Sequence, residues 1–552
     1  EVLGDLDTPG VDVEIMLRKH GIPDVHGPSA IREAERLGAK VRDRDCRGRT
    51  DFRSMTTVTI DGEHARDFDD AITLERLPSG NFLLGVHIAD VSHYVRPGSE
   101  LDREARERGT SVYFPERAVH MFPAVLSTGL CSLNPNVDRL VQSCLIEISE
   151  RGKVVRHELH DGMIHSDARM TYEDVSAILA EGDAAVRARY AELVPVFELM
   201  HKLFEILSRR RRRRGSIDFD LQEPEFVLSE TGSVADITAT KRNVAHCIIE
   251  EFMLIANEVV ATHLRDHDIP TLYRVHDSPD VRKVAEFEDF ITTFGHSLAA
   301  PKGNATPKHF QQLAKRIKGT PEEKPVAIMM LRTMQKARYD STADGHFGLA
   351  MSNYTHFTSP IRRYPDLVVH RALRALPKKK LSTSKRQQLA DGLPDLATET
   401  SELERRAEEA ERELVQWKKV RFMSDKVGDE CEGYLIGVTS FGLFVQLDEP
   451  FVEGLVHISS MADDYYRFIE REHVLFGEAT GKRYRLGDRV TVQVVRVDME
   501  RHQVDLGLVD ILESVRASEK HRGARRSRAR TPQANSGQRR KRHKGRRRVR
   551  AR

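Results

Sequence analysis

Four aspartates within ten residues are the feature of the sequence that most suggests chemistry. Asp61, Asp67, Asp69 and Asp70 lie in TVTIDGEHARDFDDAITL, residues 57–74, between two runs of β-branched and apolar residues. We expect Asp61 to close the strand TVTI and the other three to open the strand DDAITL. Because residues two apart on a strand project to the same side, Asp67 and Asp69 should point together, and the loop can bring Asp61 back toward them.

Carboxylates this close repel one another strongly in a low dielectric unless cations neutralise them. Hard oxygen ligands suit Mg²⁺ or Mn²⁺, and two such ions that share carboxylates are the usual apparatus for in-line displacement at phosphorus. The spacing differs from that of an EF-hand calcium loop. A merely acidic loop is the alternative, but the apolar strands on both sides disfavour it. The sequence therefore predicts a site for two divalent ions.

Two arginines follow a proline in THFTSPIRRYPDLVVHR, residues 355–371. Pro360 fixes the turn, and the guanidinium groups of Arg362 and Arg363 can hold a phosphate through two hydrogen bonds and offset charge that develops during its reaction. Arg363 can equally be structural.

Four histidines could in principle bind zinc, namely His87, His93, His346 and His356. They lie in apolar strand or turn contexts without the spacing of zinc ligands, so we interpret them as core histidines.

The elements that must position these residues follow from the hydrophobic patterns. Residues 51–175 are rich in strand patterns, namely TVTI, AITLERL, NFLLGVHIADVSHYV and QSCLIEISE. Helical patterns follow, including AELVPVFELMHKLFEIL, VAHCIIEEFMLIANEVVATHL and TSELERRAEEAERELVQWKKVRFM. We therefore expect one α/β unit over residues 51–425, preceded by a segment of short helical patterns at residues 1–50.

The region 427–510 has the pattern of a small all-β barrel. GDECEGYLIGVTSFGLFVQLDEPFVEGLVHISS and GDRVTVQVVRVDMERHQVDLGL predict about five short strands with glycine turns. Phe441, Phe444 and His457 could form a face on which bases of single-stranded nucleic acid stack.

Composition places the chain among multidomain proteins of a reducing compartment. Its 552 residues contain five cysteines without a CxxC spacing, no long apolar run and no signal-peptide pattern at the start. We expect a cytoplasmic protein without a membrane partner. The first residue is Glu1, so we expect the natural chain to begin upstream.

The net charge of +2 hides a strong division along the chain. Residues 516–552 contain 17 Lys or Arg against one acid, Glu519, which leaves 70 basic and 84 acidic residues before them. This tail is almost free of apolar residues and predicts a disordered basic arm that binds phosphate backbones. A merely solvated tail is the alternative.

Several long stretches together resemble the ribonuclease II and ribonuclease R family. They are TIDGEHARDFDDAITL, VHIADVSHYV, TSVYFPERAVHMFPAVLSTGLCSLNP, IIEEFMLIAN and HFGLAMSNYTHFTSPIRRYPDLVVHR, within residues 50–425. The barrel resembles the ribosomal S-one-type OB fold that ends those proteins, and the tail favours the ribonuclease R branch. The resemblance implies an α/β catalytic domain with a mixed sheet and surrounding helices, then the OB barrel and a disordered basic tail. Residues 1–50 would be a remnant of a cold-shock-type domain, and His120 stands where the family usually has a proline.

The resemblance implies a metal-dependent, processive 3'-to-5' exoribonuclease that releases nucleoside 5'-monophosphates. The four aspartates match the metal-binding residues, with Asp69, Asp70 and Arg362 as the catalytic ones and Mg²⁺ or Mn²⁺ as the cofactor. Residues that would contact RNA are Tyr113, Tyr172, Phe219, Glu250, Arg363, Glu411, Phe441, Phe444 and His457.

Tyr113 and Phe219 would stack on the last bases, and Tyr172 and Glu250 would lie at the sugar. Core packing, a salt bridge or plain solvation remain the alternatives for these side chains. The run Arg209–Arg214 either lines an RNA path or supplies favourable charge at a helix C-terminus.

The expected partners are single-stranded RNA and RNA with a 3' overhang, with ribosomes as a further partner of the tail, and the chain should be a monomer. Two alternatives to this function remain: a non-catalytic RNA-binding or translation-regulating protein on the same fold, and a phosphorolytic nuclease.

Overall fold

The structure of the chain is a computed structural model that describes residues 3–4, 8–218, 222–229, 233–301, 304–375 and 382–517. Phe219 and residues 518–552 of the basic tail lie outside the described residues. Within them, no helix is both long enough and apolar enough to cross a bilayer.

The strands before the barrel are β1 Thr50–Asp51, β2 Val58–Asp61, β3 Asp70–Arg76, β4 Phe82–Ala89, β5 Val112–Phe114, β6 Arg117–Val119, β7 Asp138–Ile148, β8 Val154–His165, β9 Ala168–Thr171, β10 Pro224–Leu228, β11 Val234–Ala239, β12 Tyr273–Val275 and β13 Arg338–Asp340. Seven of them form a mixed sheet in the order β1-β8-β7-β4-β3-β2-β9. Its neighbours are antiparallel except for the parallel pairs β1 with β8 and β2 with β9.

The helices are α1 Val11–Lys19, α2 Pro28–Leu37, α3 Val91–Tyr94, α4 Glu100–Arg108, α5 Tyr172–Ser176, α6 Ala184–Arg189, α7 Val194–Arg214, α8 Val244–Asp266, α9 Val281–Thr292, α10 Pro307–Ile317, α11 Glu323–Thr333, α12 Tyr364–Arg374, α13 Thr383–Ala390 and α14 Leu393–Met423. Two short π-helical segments lie at Val125–Leu130 and Ala177–Glu181. Residues 8–49 therefore form helices α1 and α2 and no strand.

The central sheet is covered on both faces, which explains why β4 is apolar almost throughout. On one face Leu84 and Val86 share a core with Phe197 of α7 and Phe252 of α8. On the other face Ala71 and Ala89 pack in a cluster with side chains of α2, α4 and α12. A strand buried on both faces reads as a continuous apolar run, as FLLGVHIA does. The predicted α/β class is confirmed.

The long apolar helices predicted from the sequence are present, but one strand is shorter than the sequence predicted. The pattern ADVSHYV was assigned to a strand, whereas the chain turns into α3 after Ala89. The Asp90 carboxylate accepts a hydrogen bond from His93 N at 3.2 Å and so caps this short helix.

The C-terminal region forms a closed barrel in the order β14-β15-β16-β21-β20. Its strands are β14 Glu430–Thr439, β15 Gly442–Leu447, β16 Glu453–His457, β20 Arg489–Asp498 and β21 Gln503–Leu508. The predicted OB-type barrel of five strands is therefore present. A separate three-stranded sheet lies between β16 and β20 in sequence and was not predicted: β17 Tyr466–Ile469, β18 Val474–Gly477 and β19 Arg483–Arg485.

Candidate active site

The four aspartates lie where β2 ends and β3 begins. Asp61 is the last residue of β2, Asp70 is the first residue of β3, and Asp67 and Asp69 lie in the loop between the strands. The expectation that Asp67 and Asp69 share one face of a strand is wrong, because the strand begins only at Asp70. Tertiary contacts, rather than strand alternation, set the directions of these side chains.

The loop between β2 and β3 is held at both of its ends. Near its start, Arg169 Nη2 donates hydrogen bonds to the carbonyls of Gly62 and Glu63, both at 2.6 Å. Near its end, Phe68 N donates to Ser132 Oγ at 3.0 Å and Phe68 O accepts from Leu133 N at 3.0 Å. The aspartates are thus fixed by residues from distant parts of the sequence.

The carboxylates of the site are costly to keep charged in the absence of cations. Burial, followed by repulsion from Asp70 and Asp69, raises the pKa of Asp61 well above its ordinary value. Burial also raises the pKa of Asp69, against the opposing effect of Arg362, and raises the pKa of Asp70 to about 6. Asp61 Oδ2 and Asp69 Oδ2 are buried and have no hydrogen-bond partner among the described residues.

Unpartnered buried carboxylate oxygens fit hard divalent cations in their chemistry. The side chains are nevertheless not arranged as a formed metal centre, since no three His, Cys, Asp or Glu side chains of the described residues converge as ligands of one ion. Two of the carboxylates accept hydrogen bonds from the protein. Tyr113 OH donates to Asp67 Oδ2 at 2.6 Å, and Ile361 N donates to Asp69 Oδ1 at 2.8 Å.

The two neighbouring arginines have different surroundings. Arg362 Nε lies 3.4 Å from Asp69 Oδ2, Arg362 Nη2 donates to Ser359 Oγ at 3.1 Å, and the side chain is 44% exposed. Arg363 instead makes two hydrogen bonds to the fully buried carboxylate of Asp366, at 2.9 and 2.8 Å. The structure therefore favours the structural alternative for Arg363 over a phosphate contact, and leaves Arg362 facing the aspartates.

Tyr113, which is predicted to stack on a base, lies beside the aspartates and bonds to Asp67. It is 40% exposed while Val112 and Phe114 beside it are buried, so it is not a core side chain. Its backbone N donates to Glu411 Oε1 of α14 at 2.7 Å, and burial raises the pKa of Glu411. Glu411 is therefore not a simply solvated acid of its helix.

His120 is a neighbour of this group whose role the sequence did not predict. Its Nδ1 lies 3.8 Å from Asp67 Oδ2, is buried and has no hydrogen-bond partner among the described residues. Its ring meets that of Tyr113 edge-on, at a centroid distance of 6.5 Å. The available signal was the departure from the family pattern at this position.

Tyr172 follows Thr171, which is the β9 partner of Asp61, and so lies beside the site. His246 stacks on its ring at 3.9 Å, and Asn243 Nδ2 donates to Tyr172 O at 3.1 Å. Asn243 and His246 form the capping box that begins α8. His246 was not predicted, because nothing in the sequence pairs the start of α8 with α5.

The adjacent glutamates Glu250 and Glu251 of α8 have different surroundings. Glu251 forms a buried ion pair with Arg211 at 2.9 Å, whereas Glu250 pairs with Arg242 and is 42% exposed on its side chain. Glu250 is thus the more accessible of the two, and its place at the sugar of the RNA stays a prediction. Arg214 pairs with Glu258 at 2.7 Å, so part of the run Arg209–Arg214 serves contacts between α7 and α8.

Three predicted RNA-contacting residues of the barrel lie together. Gly442, beside Phe441, pairs with His457 across β15 and β16, and Ile458 N donates to Phe441 O at 2.8 Å. The rings of Phe441 and Phe444 meet edge-on at 5.8 Å. Phe441 and His457 are exposed, as a stacking surface requires.

The four histidines considered for zinc lie in packed surroundings. His87 is fully buried and bonds to Thr73 Oγ1 at 3.0 Å and Ser143 Oγ at 2.8 Å, and burial lowers its pKa to about 3. His356 bonds to Tyr339 OH at 2.9 Å. Burial likewise lowers the pKa values of His93, His346 and His356.

A family model for the RNB domain matches residues 49–379, which is more than half of the chain. The chain belongs to the RNB family. A second model, for the S1 RNA binding domain, matches residues 424–508, so the barrel β14–β16, β20 and β21 lies within an S1 domain.

Curated relatives match along most of the chain. Ribonuclease R of Aquifex aeolicus is 42% identical over 514 residues, which cover 93% of this chain and 72% of that protein. Ribonuclease R of Escherichia coli is 42% identical over 517 residues, which cover 92% of this chain and 63% of that protein. With Ribonuclease R 1 of Lactococcus lactis the match covers 65% of the relative's length. The chain thus spans about two thirds of such relatives.

Solved structures share the fold of most of this chain. Mycoplasma genitalium RNase R in complex with ribose methylated single-stranded RNA matches 92% of this chain and 79% of that chain, with a TM-score of 0.85 and 29% identity. Yeast Ssd1, described as a pseudonuclease, matches 86% of this chain and 58% of that chain, with a TM-score of 0.66 and 20% identity. The second likeness shows the fold alone, and a fold does not fix an activity.

Proposed function

We propose that the chain is a hydrolytic, metal-dependent 3'-to-5' exoribonuclease that degrades RNA processively to nucleoside 5'-monophosphates. The observation that carries this proposal is the group formed by Asp61, Asp67, Asp69 and Asp70 with Arg362 beside Asp69 at 3.4 Å. A protein that only bound RNA would gain nothing from buried carboxylates whose charges raise one another's pKa values. Membership of the RNB family supports the same activity.

The four aspartates are the residues that would hold the cofactor, which we propose to be Mg²⁺, replaceable by Mn²⁺, as two ions. The two unpartnered oxygens of Asp61 and Asp69 support this proposal. When bound, divalent ions would neutralise the carboxylates and act as a Lewis acid on the oxygens of the scissile phosphate. Asp69 and Asp70 are the members that we expect to affect cleavage most.

Arg362 would stabilise the charge that develops on the phosphate. Its guanidinium is exposed enough to reach a ligand, and Ser359 Oγ orients one of its nitrogens at 3.1 Å. The nearby Asp69 keeps the charged side chain in place before RNA arrives. A fixed cation at the reacting phosphate lowers the barrier because it needs no reorganisation during the reaction.

The residues around the aspartates would position the 3' end of the RNA. Tyr113 would stack on a terminal base, and Phe219, outside the described residues, would do the same. Tyr172 and Glu250 would lie at the sugar, where the 2'-hydroxyl distinguishes RNA from DNA. Glu411 supports Tyr113 through its backbone, and Phe441, Phe444 and His457 would hold the strand farther from its end.

We propose single-stranded RNA and RNA with a 3' overhang as substrates. Mycoplasma genitalium RNase R, the relative with a TM-score of 0.85, is described in complexes with single-stranded and with double-stranded RNA. A monomer, a ribosome contact through the basic tail and a cytoplasmic location complete the proposal. The five cysteines are free thiols, which is consistent with a reducing compartment.

A 5'-labelled RNA incubated with the chain, with Mg²⁺ or with EDTA, tests this function. The proposal requires that the full-length RNA be replaced by a short labelled end product with few intermediates, because degradation is processive, and that EDTA abolish cleavage. Binding without cleavage would favour the non-catalytic alternative. Release of nucleoside diphosphates that depends on added phosphate would favour the phosphorolytic alternative.

A further inference from the structure

The three-stranded sheet β17–β19 presents one packed face and an opposite face that is buried at Val474 but open along the row next to it. Tyr466 and Leu475 on the packed face are buried in a core cluster with barrel side chains, and Phe468 and Tyr484 pack against that cluster. The opposite face carries Arg467, Phe476 and Arg483, which are direct partners across the three strands. Side chains of directly paired residues point to the same side of a sheet.

Aromatic groups on the open face are not explained by packing. Phe476 belongs to none of the hydrophobic clusters of the described residues, and the Arg483 guanidinium lies over its ring at 5.3 Å. Tyr465, which immediately precedes β17, is 73% exposed and its carbonyl accepts from Glu478 N at 3.1 Å. Tyr465 therefore extends the same face by one more position. We call Tyr465, Arg467, Phe476 and Arg483 the β17–β19 face.

The charge of the face is positive where its aromatic rings lie. Arg467 has one exposed acidic neighbour, Glu478, at 3.5 Å, and an exposed pair at that distance contributes little. Among the described residues, Arg483 has no carboxylate at ion-pair distance. Arginines on both sides of an aromatic ring on an open sheet, across roughly 10 Å, suit a strand that offers phosphates and flat bases together.

We infer that the β17–β19 face is an additional binding site for single-stranded RNA, separate from Phe441, Phe444 and His457. Phe476 and Tyr465 would stack on bases, and Arg467 and Arg483 would contact the phosphates beside them. The inference rests on RNA being the substrate of the chain, as proposed above. The face would contact the part of an RNA that extends beyond the catalytic domain. It lies on a sheet outside the closed barrel.

RNA binding by the full chain in EDTA, where no cleavage is expected, tests the inference by fluorescence anisotropy. Two labelled RNAs are compared: one of about five nucleotides, which the active site can accommodate alone, and one of about 30, which is longer than a single OB-fold site. Changing Tyr465→Ala and Phe476→Ala together should weaken binding of the long RNA by roughly thirtyfold or more, because one stacked base is lost at each ring. Binding of the short RNA should stay at the parent value.

Charge variants give the face an independent readout. Arg467→Gln with Arg483→Gln should reduce the slope of log affinity against log salt by about 1.4 for the long RNA, since each phosphate contact on a single strand contributes about 0.7. Glu478→Gln should strengthen binding, because it removes the acid from the same face. The matched control is Arg496→Gln, which removes an exposed arginine paired with Asp498 and should leave both RNAs unaffected.

Unchanged affinity of the aromatic variant for the long RNA would overturn the inference. Equal weakening for both RNAs would also overturn it, because the short RNA binds at the active site and its weaker binding would indicate damage beyond this face. Cleavage by the parent chain in Mg²⁺ reports on the proposed function separately. A parent chain that binds both RNAs and cuts neither would contradict the proposed function. RNA binding by the β17–β19 face could still be measured in that case.

Discussion

At the scale of single residues, Asp69 has surroundings that oppose its own charge. It is 4% exposed, it accepts a backbone hydrogen bond from Ile361, and its second oxygen lies 3.4 Å from Nε of the partly exposed Arg362. Burial outweighs these favourable contacts and raises its pKa. A group placed at such a cost is typical of functional sites, where stability is exchanged for chemistry.

Asp69→Asn should therefore stabilise the metal-free chain at neutral pH while it reduces cleavage by more than roughly a hundredfold. Because folding raises the pKa of this carboxyl, the folded chain becomes less stable as the pH increases above the unfolded pKa of 3.8. A neutral amide at this position has no such effect. Thermal unfolding in EDTA should show a higher midpoint for the variant. Mg²⁺ should raise the midpoint of the parent more than that of the variant.

The control is Asp161→Asn, which neutralises an exposed aspartate on β8 that lies 3.3 Å from Arg374. It should leave the Mg²⁺ response unchanged. An equal Mg²⁺ shift in the parent and in Asp69→Asn would remove Asp69 from the proposed metal site.

Tyr172 and His246 should act together in the choice of sugar. Tyr172→Ala and Glu250→Ala should each let DNA compete better with RNA. His246→Ala should give a smaller effect of about two- to tenfold, because a stacked aromatic pair contributes about 0.5–1.5 kcal/mol. His246→Phe keeps a ring against Tyr172 and should restore the preference. Unchanged discrimination between RNA and DNA in all four variants would exclude this role.

At the scale of elements, the start of α12 separates a structural arginine, Arg363, from Arg362, which we propose to be catalytic. Arg363→Ala leaves the carboxylate of Asp366 buried without its partner, so it should lower the free energy of unfolding by about 3–5 kcal/mol. Arg362→Ala removes an exposed side chain, so it should change stability by less than about 1 kcal/mol but reduce cleavage about a hundred- to a thousandfold. Denaturant titrations and cleavage rates of both variants would test this. Equal stability losses would contradict the distinction.

His87 should make the central sheet sensitive to acid. Folding lowers its pKa from 6.5 to about 3, so the unfolded chain binds a proton that the folded chain does not. Its contribution to stability should therefore fall by about 1.4 kcal/mol per pH unit as the pH decreases below the unfolded value. His87→Gln should flatten this dependence in urea titrations between about pH 6.5 and 4. His160→Gln, at a partly exposed histidine of β8, should not.

The sequence could predict the elements around the site but not the contacts that shape it. The strands on either side of the aspartates, α8 and the barrel follow from hydrophobic periodicity, which is a local signal. The bond from Ile361 N to Asp69 joins residues 292 positions apart, and no local pattern encodes it. The three strands β17–β19 are only three or four residues long, so their period-two pattern was too weak to recognise. The cap at Asp90 similarly overrode a strand pattern.

At the scale of the whole molecule, the basic tail should affect affinity rather than catalysis. Residues 516–552 contain 17 Lys or Arg, and each phosphate that one of them neutralises contributes about 0.7 to the salt slope on single strands. Deleting these residues should flatten the salt dependence of RNA binding and weaken it most at low salt, more for structured RNA than for short single strands. Turnover of a short RNA at saturation should hardly change. An unaltered salt slope would assign the tail to another partner.

We propose that the four aspartates and Arg362 together catalyse hydrolysis of the terminal phosphodiester of RNA. The most direct measurement is mass spectrometry of the products formed in heavy-oxygen water, for the parent and for the Asp69→Asn and Arg362→Ala variants. We predict nucleoside 5'-monophosphates that carry one heavy oxygen from the parent with Mg²⁺, and almost none from either variant or in EDTA. Products without heavy oxygen, or variants that release monophosphates at nearly the parent rate, would contradict the account.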